Sequence, residues 1–376
     1  MATIKARDEL ASVIPYPLGP PPENLQEELG FPRIIRMGDN ENPYGASPFA
    51  LEAVKKELDS INRYPDGTYS RLYKSLSSFH GLSEGYFTVG NGSDEVIRLI
   101  TRAFISRGDE AVMASCTFPR YKTNVLIEGG IPVEVPLVDG IHDLDGMLSS
   151  VSARTKMVFV CNPNNPTGTI VDKDALAQFI SAVPENVLIV VDEAYVEYVR
   201  PGAMNDAKSI LEKHRNVVIL RTFSKIHGLA GLRIGYGMMC PGISENLAKV
   251  RDVFNVNRAG AAAAAASLGD VCFIAESAEK NKLEREYVTK RLEEIGYQSL
   301  PSEANFLFVP LNEPGGLIEL TLAGQGIFVK AISAPGYPGA FRAALGTREE
   351  NDRFLGAIRS FQTEGVMKIW TLLRET

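Results

Sequence analysis

Three stretches of the chain share one pattern. In "KMVFVCNPNNPTG" (156–168), "NVLIVVDEAY" (186–195) and "NVVILRTFSK" (216–225), a short run of apolar, largely β-branched residues without alternation ends abruptly in polar ones. Such runs predict strands buried on both faces of a parallel sheet. The segments between them are long enough for crossover helices, of which "DKDALAQFISAV" (172–183) is one. In open α/β sheets the carboxyl ends of the strands line the ligand crevice. Asn165, Asp192, Tyr195 and Lys225 can therefore meet although they are distant in sequence.

Outside these runs the period changes. "SPFALEAVKKEL" (47–58) reads as a helix, with Ser47 as its N-cap and Pro48 at the first helical position. The small-residue run "AGAAAAAASLG" (259–269) predicts a tightly packed helix. A long charged helical pattern, "AEKNKLEREYVTKRLEEIG" (278–296), precedes the strand-like pieces "NFLFVPL", "GIFVKAI" and "FRAALGT" and a last helix. This change of character predicts a separate α+β domain. The expected division is an N-terminal arm over 1–40 that joins the smaller domain, a large domain over 41–259, and a small C-terminal domain over 260–376. The arm is rich in proline and glycine ("PYPLGPPPENLQEELGFP") and is suited to lying across a neighbour.

Composition narrows the function classes. A chain of 376 residues with 45% hydrophobic content has material for two domains, and its net charge of −7, with no dense Lys/Arg stripe, disfavours nucleic acid as a partner. Small molecules and proteins are the expected partners. Cys116, Cys161, Cys240 and Cys272 lie far apart with no CxxC pair, and His80, His142, His214 and His227 are scattered, so neither a disulfide framework nor a metal is expected. The start of the sequence lacks the apolar stretch of a signal peptide, and no apolar run reaches membrane-spanning length. A cytoplasmic location is the expectation.

Lys225 is the centre of the candidate chemistry. A lysine at a strand's mouth is ordinarily a surface charge, but here Ser224 precedes it, Gly228 and Gly231 permit close backbone approach, and Arg233 returns a fixed positive charge. A Schiff-base lysine beside a Ser/Arg pair able to hold phosphate is what pyridoxal phosphate (PLP) requires. Asp192 can keep the cofactor's ring nitrogen protonated, or be a cap or a structural ion-pair partner. Tyr195 can donate to the ring's phenolic oxygen, or pack in the core.

"TVGNGSDEVIRLI" (88–100) runs from glycines into Ser93 and Asp94 and then into helical spacing at Val96, Ile97, Ile100 and Phe104. A helix N-terminus there would present amide groups to a phosphate; Ser93 as a simple N-cap is the other reading and is compatible with that role. The chain has no Gly-Lys dipeptide and hence no nucleotide P-loop, and "GNG" is not a dinucleotide fingerprint. Phe118 can stack on a planar cofactor or belong to the core. Arg342, in "GAFRAALGT", can grip a carboxylate through its planar fork or sit on the surface.

These motifs, in order and over nearly the whole chain, resemble one family. "NENPYG", "RYPDG", "GNGSDE", "NPNNPTG", "DEAY", "SKIHGLAGLRIG" and "FRAALGTREEN" are similar to those of the fold-type I PLP-dependent aminotransferases, and most of all to the branch that acts on histidinol phosphate. The resemblance implies an aspartate aminotransferase-like α/β fold with a mostly parallel sheet. It implies a ping-pong transamination in which Lys225 holds PLP as an aldimine and 2-oxoglutarate leaves as glutamate. Asp192 would pair with the pyridinium, Tyr195 and Asn165 with the phenolic oxygen, and Phe118 would stack on the ring. Ser93, Asp94, Ser224 and Arg233 would form the phosphate cup, with Tyr64 reaching in from the second subunit of a homodimer. Arg342 and Asn165 would hold a substrate carboxylate, and Tyr16 and Lys330 a substrate phosphate. Lys330 stands where the family usually has arginine, and this departure leaves an aromatic amino-acid aminotransferase as the alternative.

Overall fold

The three apolar runs form adjacent strands of one sheet. The structure, a computed structural model, describes residues 4–15, 24, 30–31, 33–312 and 314–372, with side chains described as far as residue 361. Its main sheet has seven strands: β1 (Phe87–Gly90), β2 (Glu110–Ala114), β3 (Ile131–Val135), β4 (Thr155–Cys161), β5 (Leu188–Asp192), β6 (Val217–Thr222) and β7 (Gly235–Met239). Their order is β1-β7-β6-β5-β4-β2-β3. All neighbouring pairs are parallel except those made by β7, which runs antiparallel to β1 and β6.

The absence of alternation in the sequence has a packing cause. Val158, Val160, Ile189, Val191, Val217 and Ile219 face one hydrophobic core, while Met157, Phe159, Leu188, Val190, Val218 and Leu220 face another. Both faces of the central strands are covered, so every position is apolar. The register aligns Cys161 with Asp192 and Asp192 with Leu220, which brings the polar tails of β4, β5 and β6 to one edge.

Helices follow the capping chemistry. The hydroxyl of Ser47 accepts from the amides of Phe49 and Ala50 at the start of α1 (Pro48–Leu58). Ser93, in contrast, is not a cap: it is the first residue of α2 (Ser93–Phe104), and Gly92, at φ +82°, stands at the cap position. Further along are α3 (Arg120–Ile127), α4 (Lys173–Ala182), α5 (Arg258–Ser267) and α6 (Val271–Glu294). The carboxylate of Asp172 caps the crossover helix α4.

The alanine-rich α5 packs against α1. Ala263 and Ala264 share a core with Ala50, Leu72 and the main sheet, and Ile274 and Ala278 at the start of α6 pack against Tyr195, Tyr198 and Ile226. Beyond α6, β8 (Phe306–Pro310), β9 (Lys330–Ala334) and β10 (Tyr337–Ala344) form a three-stranded antiparallel sheet in the order β8-β10-β9. Its core includes Phe341 and Phe354 together with Ile35 and Met37. Ile35–Arg36 pairs in parallel with Ile327–Phe328. No single helix among the described residues is long and apolar enough to cross a membrane.

Gly228 and Gly231, three residues apart in the motif after Lys225, differ physically. Gly228 has φ +68°, and a Cβ on it would fall 1.9 Å from the carbonyl oxygen of Gly45. Gly231 has no neighbour within 4 Å of such a Cβ, so it makes no close approach within the protein. Gly228→Ala is expected to lower the unfolding free energy by at least about 2 kcal/mol, because it combines left-handed strain with a backbone clash. Gly231→Ala should change it by less than about 1 kcal/mol. Denaturant midpoints of the two variants, compared at unchanged m-value, check both statements.

Candidate active site

A cavity of about 370 Å³ opens at the carboxyl ends of the main-sheet strands. Lys225, one residue beyond Ser224 in the loop after β6, lines it. Its Nζ donates to the carbonyl of Asp39 at 2.9 Å and lies 5.8 Å from the centroid of the Tyr195 ring. Burial, then the nearby Arg342 guanidinium, lower its pKa to about 8. Far more of this amine is therefore neutral and nucleophilic near neutral pH than for an ordinary lysine.

Asp192 ends β5 and also lines the cavity, with 3% of its surface exposed. One carboxylate oxygen accepts from the Tyr121 hydroxyl at 2.7 Å and the other from the Ala194 amide at 3.1 Å. Burial raises its pKa to about 6, against the opposing pull of the Tyr121 hydrogen bond. Tyr195 is buried, its hydroxyl accepts from Asn40 at 3.0 Å, and burial pushes its pKa upward.

Four further residues of the cavity wall suit an anion. Ser93 and Asp94 begin α2, whose first amides have no partner within the helix and whose dipole is positive at that end. Ser224 and the left-handed Arg233 (φ +53°) come from the β6–β7 connection. Glycines bring these pieces together: a Cβ on Gly92 would sit 2.8 Å from an Arg233 nitrogen, and one on Gly235 would sit 2.3 Å from the Ser93 amide. Asp94 is engaged by Arg120 at 2.9 Å.

Phe118, Asn165 and Arg342 line this cavity and also a second one of about 660 Å³ beside it. Arg342 donates to the side chain of Asn165 and the carbonyl of Gly38, and its guanidinium lies 5.4 Å above the Phe306 ring. Lys330 lines only the second cavity, along with Val13, Ile14 and Ile332. Tyr64 lines neither: it is 79% exposed and stacks on Phe254 at 4.7 Å. Tyr16 lies outside the described residues. A separate hollow of about 670 Å³, with Lys156 and Asn216, lies at the amino ends of the strands and holds none of these side chains.

Sequence reasoning missed Tyr121, Asn40 and the Asp39 carbonyl. Tyr121 has no distinguishing signal beyond a place in an amphipathic helix. Asn40 opens the "NENPYG" motif, which carries the family resemblance without pointing to a bond with Tyr195.

The donor set fits PLP. An amine, an acidic group at a strand end, a ring able to stack, and a cationic cradle at a helix N-terminus share one cavity. The glycines at 92 and 235 let Arg233 and the Ser93 amide come close together at the start of α2, where a helix N-terminus favours an anion.

Residues 32–358 match the family pattern "Aminotransferase class I and II". The chain is 41% identical over 353 residues to the histidinol-phosphate aminotransferase of Brevibacillus brevis, covering 94% of this chain and 97% of that one. The crystal structure of histidinol-phosphate aminotransferase from Sinorhizobium meliloti in complex with pyridoxal-5'-phosphate is similar, with TM-score 0.89 and 30% identity. It covers 96% of this chain and 98% of that one. The aspartate aminotransferase of Thermus thermophilus, 18% identical with TM-score 0.79 over 96% of this chain and all of that one, shares the fold.

Proposed function

Because this chain belongs to the class I and II aminotransferases, a PLP-dependent family, we propose that it transfers the amino group of histidinol phosphate to 2-oxoglutarate. The observation that carries the chemistry is that Lys225, Asp192 and the Arg233/Ser93 cradle line one cavity. The donor assignment rests on 41% identity across 94% of the chain to a histidinol-phosphate aminotransferase.

In this reading PLP, when bound, supplies the electron sink that makes a Cα–H bond acidic. Lys225 Nζ holds the cofactor and then carries the proton removed from Cα. Asp192 keeps the ring nitrogen protonated, Tyr195 and Asn165 hydrogen-bond the phenolic oxygen, and Phe118 covers the ring face. Ser93, Asp94, Ser224 and Arg233 anchor the phosphate. Arg342, steadied by Asn165, grips a carboxylate or phosphate, and Tyr16 and Lys330 assist with the substrate phosphate.

A homodimer belongs to the same proposal. Ile61, Tyr64 and Val253 are apolar or aromatic and are 72%, 79% and 81% exposed, an arrangement that a second copy would cover while Tyr64 reached its site. We further propose the division into a large domain near 41–259 and a smaller one formed by the arm and the C-terminal part, and a cytoplasmic location.

Lys330 makes the substrate testable. It stands directly across from Arg342 on the β9–β10 pair. Like charges in that relation cost stability, which an anion between them would offset. In the half-reaction without keto acid, histidinol phosphate should bleach the cofactor band at far lower concentration than phenylalanine. Lys330→Ala should raise the concentration needed for histidinol phosphate about tenfold and leave phenylalanine within about twofold, the loss of one charge-assisted contact. Equal losses for both substrates, or phenylalanine reacting first in the parent enzyme, would move the assignment to aromatic amino acids.

A further inference from the structure

Tyr121 is completely buried. It stacks on Phe159 at 4.7 Å with 12° between the rings and meets Phe118 edge-on at 5.5 Å. From α3, its hydroxyl donates to the carboxylate of Asp192 at 2.7 Å. We propose that Tyr121 is a positioning residue whose hydroxyl holds Asp192 ionised and directed into the cavity. The proposal rests on the aminotransferase reading only for its effect on turnover.

The physical argument is one of compensation. A carboxylate with 3% exposure is driven toward its neutral form by desolvation. The other titratable groups that bear on it do not help: Glu193 next to it and Asp94 on α2 are acidic, and Cys161 on β4 and Tyr195 after β5 are neutral groups whose ionisation it opposes. Within the protein, the two hydrogen bonds from Tyr121 and the Ala194 amide are what favour the charge. The amide is fixed by the backbone, which leaves Tyr121 as the side chain that sets the balance. Both of its aromatic neighbours would still pack against phenylalanine, so Tyr121→Phe removes the hydroxyl and keeps the ring.

The test follows the Asp192 carboxyl by 13C NMR in full-length protein without PLP, in the parent and in Tyr121→Phe. Loss of a hydrogen bond to a charged group should raise the Asp192 pKa by about one to two units. With PLP and substrates present, kcat should fall about tenfold or more while KM stays within about twofold, since the substrate does not touch Tyr121. An unchanged Asp192 titration overturns the proposal, and so does a loss confined to KM. If the Asp192 shift appears but the parent protein takes up no PLP, the aminotransferase reading fails and the inference about the hydrogen bond stands.

Discussion

Lys225→Ala is expected to lower turnover by more than about 1,000-fold, because it removes both the nucleophile and the group that moves the proton. The rest of the cavity explains why PLP should still bind this variant. On the proposed function the phosphate would rest on Ser93, Asp94, Ser224 and Arg233, which line the same cavity, and the close approach of Arg233 to the start of α2 depends on Gly92 and Gly235, not on the lysine. The truncation also leaves little unsatisfied, since among the described residues the Lys225 amine donates to the carbonyl of Asp39 alone. PLP should therefore be retained by gel filtration without its lysine-bound absorption band. In the parent protein, the rate at which added PLP reacts with the amine should rise with pH through about 8, where burial and Arg342 have placed the lysine. The sign follows from the neutral amine being the reactive form. Sustained multiple turnover by Lys225→Ala would remove the lysine from the mechanism.

Much of this site was legible because parallel sheets obey a simple rule. Once three unalternating apolar runs are read as parallel strands, the residues that follow each run must converge at one edge, and Asn165, Asp192, Tyr195 and Lys225 do line one cavity. The antiparallel β7 is less legible. "IGYGMM" carries two glycines that lower strand propensity, and its first glycine is required by the approach of the Ser93 amide. Ser93 illustrates a finer miss. Serine is a good cap by propensity, yet Gly92 takes the cap position because the chain enters the helix at positive φ beside Arg233. The expectation for Tyr64 depends on a second copy, since within one chain it lies on the surface against Phe254. Tyr121 escaped notice for a different reason. A tyrosine in an amphipathic helix announces packing, and only the tertiary structure shows that its hydroxyl ends on Asp192.

Asp192→Asn is the second substitution with a large expected effect, and its consequence differs in kind from that at Lys225. The side chain keeps its size, so the core of Met157, Phe159 and Val190 beneath it need not move. What changes is the charge and the hydrogen-bond capacity. The carboxylate accepts from Tyr121 through one oxygen and from the Ala194 amide through the other, whereas asparagine offers one acceptor oxygen for those two donors. With PLP bound, the protonated ring nitrogen would also lose its counter-charge in a buried setting, where removing one partner of an ion pair costs roughly 3 to 5 kcal/mol. Expressed through the barrier, this corresponds to a fall in kcat of roughly 100- to 1,000-fold or more. KM for the amino donor should change little, because the hydrogen bonds of the Asp192 carboxylate go to Tyr121 and the Ala194 amide and not to Arg342, Asn165 or Lys330. The decisive comparison is kcat against KM in the overall transamination, with the cofactor band recorded alongside. A loss of less than tenfold would mean that Asp192 does not control the ring nitrogen, whereas a loss carried by KM would assign it to the substrate pocket.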